Sequence, residues 1–471
     1  MKSYKYLFKN IGLLTLSQFG TKLLVFFLVP LYTNVLTTSE YGTYDLFNTT
    51  ISLLIPVVTL NISDAVLLFS LEEKDKHSEA FSIGLKYSLA GFLLSIIFLA
   101  FNYIFGIFPT VNKYWYYFPV LFILTAINTF FSAFARGIER VKETAIGGVI
   151  CSATMIACNL FLLLVLRIGL HGYFVANILG ISAQIIYLFI SCRLWLYITP
   201  EIDKRLEGDM RNYSIPLIAN NVGWWINNSS DRYIVTWLLG VSEMGIYSVG
   251  YKIPSILNMF QTIFSQAWTM SAVRDFDSED RNGFFSKVYN FYNCGMVLIC
   301  SCIIITSRIL AHFLYSKDFF VAWKYVPFLT IAIVFGSLAG FLGGIFAATK
   351  DSKLFGNSTL AGALLNIILN IILVYFIGTL GSAIATLISY YVVWLIRIEH
   401  VKKHISLKIN LLNHYFSYIV LVIQGALLLF FSDCFKLYVV EIMLFIFLLM
   451  MYSKILSDIW NKMIKKINFG R

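Results

Sequence analysis

Lys22, Lys86, Arg232 and Lys252 are cationic side chains inside stretches that are otherwise apolar for about 20 residues or more, the length of a membrane-crossing helix. A charge near the bilayer centre costs about 2.5–3.5 kcal/mol on insertion scales, so such residues face a polar cavity or a partner. Four of them together suggest an anionic substrate carried through or across the membrane. Lys22 sits near the middle of its stretch with Gln18 one turn before it. From that depth a snorkelling side chain would have to cross ~10 Å or more. Lys86 and Lys252 lie nearer the ends of their stretches, where a headgroup is within reach. Two carboxylates share the apolar stretches: Asp64, with Asn61 one turn earlier, and Asp231, directly beside Arg232. Each is read as an ion-coupling or charge-pairing group, and Asp64 equally as a fixed partner for Lys22 or Lys86.

These groups need helices to position them. Asn220, Trp224, Asn227, Asn228 and Asp231 follow near-helical spacing and form a polar stripe on one apolar helix, with Arg232 at its edge. Tyr247, Tyr251, Pro254, Asn258, Gln261 and Ser265 alternate by four and three, one continuous polar face on the next. Two such faces beside Arg232 and Lys252 favour the wall of a wet cavity, with interhelical hydrogen bonding as the bland reading. Trp224 and Trp225 lie deep enough to stack on sugar. Most other aromatics, Tyr114-Trp115-Tyr116-Tyr117 among them, read as interfacial belts and packing. Glu441 reads as interfacial, near a span end.

The composition leaves no soluble surface. Of 471 residues 59% are hydrophobic and 13% charged. Fourteen spans are predicted between residues 11 and 453, among them 11–36, 44–69, 213–239, 245–270, 381–396 and 437–453. The first is too long for a signal peptide. With the N-terminus inside, 26 of the 36 Lys and Arg fall in inside segments, Arg397 among them, which sets both termini in the cytoplasm. The same asymmetry accounts for the net charge of +11 without nucleic acid. The seven cysteines lack metal or redox spacing. There is no P-loop, no HExxH and no soluble nucleotide domain to use Asp275-Phe276-Asp277, so catalysis and a bound cofactor are not expected.

The chain also repeats itself. Ser39-Glu40-Tyr41-Gly42-Thr43-Tyr44 is echoed by Ser242-Glu243-Met244-Gly245-Ile246-Tyr247, Gly172-Tyr173-Phe174-Val175-Ala176-Asn177 by Gly381-Ser382-Ala383-Ile384-Ala385-Thr386, and Asn159 by Asn370. The order and nearly constant offset predict a duplicated six-helix unit in parallel repeat. The division expected is a first bundle over 1–192, a cytoplasmic linker loop over 193–212, a second bundle over 213–400, and an accessory hairpin with a basic tail over 401–471.

Ser17-Gln18 with Lys22, the Glu40-Tyr41-Gly42 turn, Tyr213-Ser214-Ile215-Pro216, Asp231-Arg232 and Gly245-Ile246-Tyr247-Ser248 together resemble the Wzx-type polysaccharide flippases of the multidrug/oligosaccharidyl-lipid/polysaccharide exporter superfamily. The resemblance runs over about 1–400. It implies an all-α polytopic fold of two pseudo-twofold-related bundles working by alternating access in the bacterial inner membrane, for O-antigen or capsule synthesis. The implied substrate is an undecaprenyl-pyrophosphate-linked oligosaccharide, handled among membrane lipids and passed to polysaccharide polymerase and chain-length proteins. On that reading Lys22, Arg232, Lys252 and Lys86, with Gln18, Asn227, Asn228, Tyr251, Asn258 and Trp224, contact pyrophosphate or sugar. A cation-coupled multidrug antiporter of the same superfamily is the alternative; four buried cations against Asp64 and Asp231 argue against it. A membrane polymerase or glycosyltransferase ranks lower.

Overall fold

The computed structural model describes residues 26–458 except 108, 275, 282, 350 and 432–434, and all regular structure among them is helical. The chain divides into two compact units between Tyr233 and Ile234. The first contains α1 (Val29–Val35), α2 (Thr38–Val58), α3 (Ile62–Glu72), α4 (His77–Phe105), α5 (Tyr117–Gly137), α6 (Val141–Asn159), α7 (Gly169–Ser191) and most of α8 (Lys204–Leu239). The second contains α9 (Val241–Gly250), α10 (Ser255–Arg274), α11 (Phe284–Leu314), α12 (Val326–Ala348), α13 (Ser352–Ile377), α14 (Thr379–Val401), α15 (Leu411–Phe430) and α16 (Phe435–Met451).

Among the described residues nine helices are long and apolar enough to cross a membrane, ten when the bent pair α2–α3 counts as one span. The expected fourteen include stretches that differ for identifiable reasons. Most of 11–36 lies outside the described residues. Helix α8 carries the polar stripe, 245–270 is broken into α9 and α10, and α16 has 17 residues.

In the first unit α2 starts with a reciprocal cap. Thr37 Oγ1 accepts from the Glu40 N–H at 3.2 Å, and Glu40 Oε2 accepts from the Thr37 N–H at 2.9 Å. The helix ends at Thr59, where Leu60 and Asn61 take left-handed φ of 51° and 52° and the chain bends by 57° into α3. Asparagine tolerates that conformation; leucine is strained there. The core joins Ile62 and Val66 to Phe81, Phe130 and Phe134. Gly84 makes room for it, because a Cβ there would run into the Phe130 ring.

Leu194, Leu206 and Met210 belong to the same core. The stretch 193–212 is therefore not the free loop expected. Its second part is already α8, with Leu206 and Met210 one turn apart on the buried face.

In the second unit α12 is the central, mostly buried helix. Trp268 of α10 lies against it, donating Nε1–H to the Phe341 carbonyl at 2.8 Å. The echoed asparagines behave alike, each in its own unit. Both are fully buried, and each returns its amide to its own helix, Asn159 to the Met155 carbonyl at 2.8 Å and Asn370 to the Asn366 carbonyl at 2.9 Å.

Candidate functional site

Within the first unit, α2 and α8 run antiparallel and are joined by polar groups over about two turns. Arg232 Nε lies 2.9 Å from Asp45 Oδ2. Trp225 Nε1–H donates to the Thr49 carbonyl at 3.0 Å and to Ser52 Oγ at 3.2 Å. The hydroxyls of Thr50 and Tyr233 are 2.5 Å apart. Arg232 also donates through Nη1 to Ser229 Oγ at 3.2 Å and, more weakly, to the Asn228 carbonyl at 3.4 Å. Around this pair stand Tyr32, Tyr41, Tyr44 and Tyr173, four buried rings with Tyr173 at 4.0 Å from Tyr44 and 4.5 Å from Tyr32, centroid to centroid. Helical stacking places Arg232 because α8 is continuous from Lys204, its Pro216 notwithstanding.

The other stripe residues of α8 divide by exposure. Trp224 is 42% exposed, and Asn220 and Asn228 are also open. Asn227 is half-buried and Asp231 buried. Asn227 and Asn228 donate to the Gly223 and Trp224 carbonyls of their own helix at 3.1 and 2.7 Å. Asp231 accepts the Arg232 backbone N–H at 2.9 Å. The deeper of the two tryptophan contacts is Trp225, which is committed to α2 rather than open for sugar.

The remaining site residues are dispersed. Lys22 and Gln18 lie outside the described residues. Lys86 does not meet Asp64: its ammonium is 2.7 Å from Glu207 Oε1 on the first turn of α8, where the Tyr87 hydroxyl donates at 3.0 Å. Asp64 is exposed and accepts from Asn61 Nδ2 at 2.7 Å.

In the second unit the polar face expected over 247–265 is interrupted. Tyr251, Lys252, Ile253 and Pro254 form a turn between α9 and α10. Proline has no N–H to continue the helical ladder, and Ser255 Oγ donates to the Lys252 carbonyl at 2.6 Å. Tyr247 is fully buried, its hydroxyl 3.2 Å from that of Tyr251, while Asn258 is exposed and Lys252 half-buried. A helix break with a lysine at it is the kind of element on which transporters build ion or substrate sites.

Two paired or buried charged side chains escape a reading by apolar runs. Asp45 lies at the start of its span, and its only sequence signal is a depth matching that of Arg232. Arg397 lies one residue past an apolar run, yet α14 continues to Val401 and buries it to 3% exposure. Its guanidinium donates to Ser358 Oγ at 2.9 Å, the Ala339 carbonyl at 2.8 Å and Thr359 Oγ1 at 2.8 Å, and lies 4.3 Å from the Phe355 ring. The acidic Asp277 is a turn-former: it accepts from the Glu279 and Arg281 N–H groups at 3.1 and 2.9 Å.

Solved structures share this helical fold. The fold matches a lipid II flippase, MurJ, in its inward closed conformation at a TM-score of 0.69 and 17% identity, over 96% of this chain and 99% of that one. It also matches an inward-facing multidrug resistance MATE family transporter of the MOP superfamily at a TM-score of 0.68 and 13% identity, over 81% and 96% of the two chains. The chain shares its fold with these two structures.

The chain itself belongs to the family described as polysaccharide biosynthesis protein, whose model matches residues 7–269. A curated relative, the probable low-salt glycan biosynthesis flippase Agl15 of Haloferax volcanii, is 23% identical over 205 residues. That match spans 42% of this chain and 42% of the relative, well under half the relative's length.

Proposed function

We propose that the protein is a flippase moving an undecaprenyl-pyrophosphate-linked oligosaccharide from the inner to the outer leaflet of the bacterial cytoplasmic membrane, with both termini cytoplasmic. The observation that carries this reading is Arg232, partly exposed and paired with Asp45 at the head of a stripe of amides and Trp224. Family membership and the flippase-like fold support the substrate class. A pyrophosphate presents several oxygens to a guanidinium fork and competes with Asp45 for it once water is withdrawn. Trp224 offers an apolar face to a sugar ring, and the open Asn220 and Asn228 offer polar partners. The prenyl tail stays in lipid.

Lys22, Gln18, Lys252, Tyr251 and Asn258 are further headgroup or sugar contacts on this reading, and Asn227 supports the stripe. Lys86 has no such role on this reading, because Glu207 pairs with it. Exposed Asp64 is the acid placed to exchange a proton or cation, and buried Asp231 positions the Arg232 backbone. Polymerase and chain-length proteins would receive the flipped glycan.

Leaflet-resolved tracking of a lipid-linked glycan, in cells lacking and then regaining the protein, tests the proposal. Restored outer-leaflet glycan is the expected result. Transport of a labelled cationic drug without glycan translocation would replace it with the multidrug antiporter.

A further inference from the structure

Glu441 on α16 is fully buried, and neither of its carboxyl oxygens meets a hydrogen-bond donor in bonding geometry. Helix α16 packs on α11 and α15. Each contributes one fully buried polar side chain at this level, Ser301 and Gln424. Ser301 Oγ donates to Gln424 Oε1 at 2.8 Å. The Gln424 Nε2 then faces α16, 3.4 Å from the Glu441 backbone oxygen.

The charged groups on these three helices are elsewhere. Arg308 is seven residues past Ser301, about 10 Å along α11; its guanidinium is bound to the Leu428 carbonyl at 2.6 Å and lies 4.1 Å from the Trp323 ring. Lys287 and His312 lie farther along α11, about 21 and 16 Å from Ser301. His414 begins α15, about 15 Å from Gln424, and Lys436 is exposed at the start of α16. The other titratable groups on α11, α15 and α16 are tyrosines and cysteines.

An ionised carboxylate in such surroundings needs a cation or two to three hydrogen bonds. One glutamine amide does not supply them. Nor does the site suit an alkali cation, since the amide turns N–H rather than oxygen toward the carboxyl. We propose that Glu441 is a proton-binding site of the C-terminal hairpin, and that its acid form is what lets α15 and α16 dock on α11. Losing the proton places a bare charge in an apolar three-helix seam, so the seam opens or admits water. The inference does not depend on the identity of any transported molecule.

A lipid-soluble carbodiimide tests it on the full-length protein in lipid nanodiscs. The carboxylic acid O–H adds across one C=N bond to give an O-acylisourea, which rearranges to a stable N-acylurea retaining every atom of both reactants. At about pH 7 exposed carboxyls are almost wholly ionised, so Glu441 should be modified at least ~10-fold more than Glu279 or Glu399, read by peptide mass spectrometry. Absence of the adduct at about pH 7 and again at about pH 5 overturns the proposal. So does suppression of labelling by sodium chloride but not choline chloride, which would mark a cation site. Thermal melting supplies the second readout. Wild type should lose stability as pH rises from about 6 to 9, and Glu441→Gln should melt at or above it with a flatter profile. An unchanged pH slope in Glu441→Gln also overturns it.

Discussion

The two units each hold a deep arginine, and they hold it differently. Arg232 in the first unit is paired with a carboxylate, Asp45, and retains partial exposure. Arg397 in the second is 3% exposed and distributes its charge over neutral oxygens from α12 and α13 and the face of Phe355. A partly exposed guanidinium paired with a carboxylate can exchange that partner for another anion. One held by several neutral acceptors on different helices cannot be released without separating the helices. Burial alone therefore does not mark a transport residue: the deeper arginine is the staple and the shallower one the candidate contact.

Removing the staple should give the largest effect. Arg397→Met leaves a buried carbonyl and two hydroxyls without their donor, a loss of about 3 kcal/mol or more. Arg397→Lys should not rescue it, because one ammonium does not span the same fork. Monodisperse yield and melting temperature in detergent should both fall sharply. Normal yield in Arg397→Met would remove the distinction between the two arginines.

Arg232→Gln should show the opposite pattern, with near-normal abundance and translocation reduced by ~10-fold or more, about 1.4 kcal/mol in the limiting barrier. Asp45→Asn frees the guanidinium but leaves its charge, so it should lose less. The exchange of both, Asp45→Arg with Arg232→Asp, should restore the α2–α8 contact yet not translocation. Full recovery by the swap would show that Arg232 is a structural partner and nothing more. Lys86→Gln comes next, since a half-exposed pair with Glu207 contributes about 0–1 kcal/mol. Its translocation should stay within about twofold of wild type.

The all-helical membrane fold was legible because span length and apolarity are local properties. The stripe on α8 was legible for the same reason, since periodicity along one helix needs no knowledge of neighbours. Pairing was not legible. Asp45 and Arg232 are far apart in the chain, and only their matching depth connects them. Lys86 was open to a lysine–Asp64 pairing, but the packing of 204–210 into the first core brings Glu207 to it instead. The continuous face over 247–265 assumed an unbroken helix, which Pro254 and the Ser255 hydroxyl interrupt. Glu441 was placed at an interface by its distance from a span end. Its burial depends on α11 and α15 covering it, which no window along the chain reports.

The smallest effect concerns how each unit starts a helix near these arginines. In the first, α2 has the reciprocal Thr37–Glu40 cap. In the second, α13, which supplies Ser358 and Thr359 to Arg397, starts on Asp351 alone. The Leu354 N–H donates to Asp351 at 3.1 Å, and His404 Nε2 lies 3.1 Å from its other oxygen. These contacts, the backbone donor foremost, hold its carboxyl below the ordinary 3.8. A depressed folded value means that the cap contributes fully above the unfolded value and is lost as pH falls through the folded one. Hydrogen exchange over 352–357 should therefore accelerate, after correction for intrinsic rates, only below about pH 4. Asp351→Asn should show no such step. Because Arg397 holds the next turns of α13, the added exchange should stop before Ser358. Exchange spreading past Thr359 would mean that the arginine does not fasten this helix and that its several neutral contacts do not make it a staple.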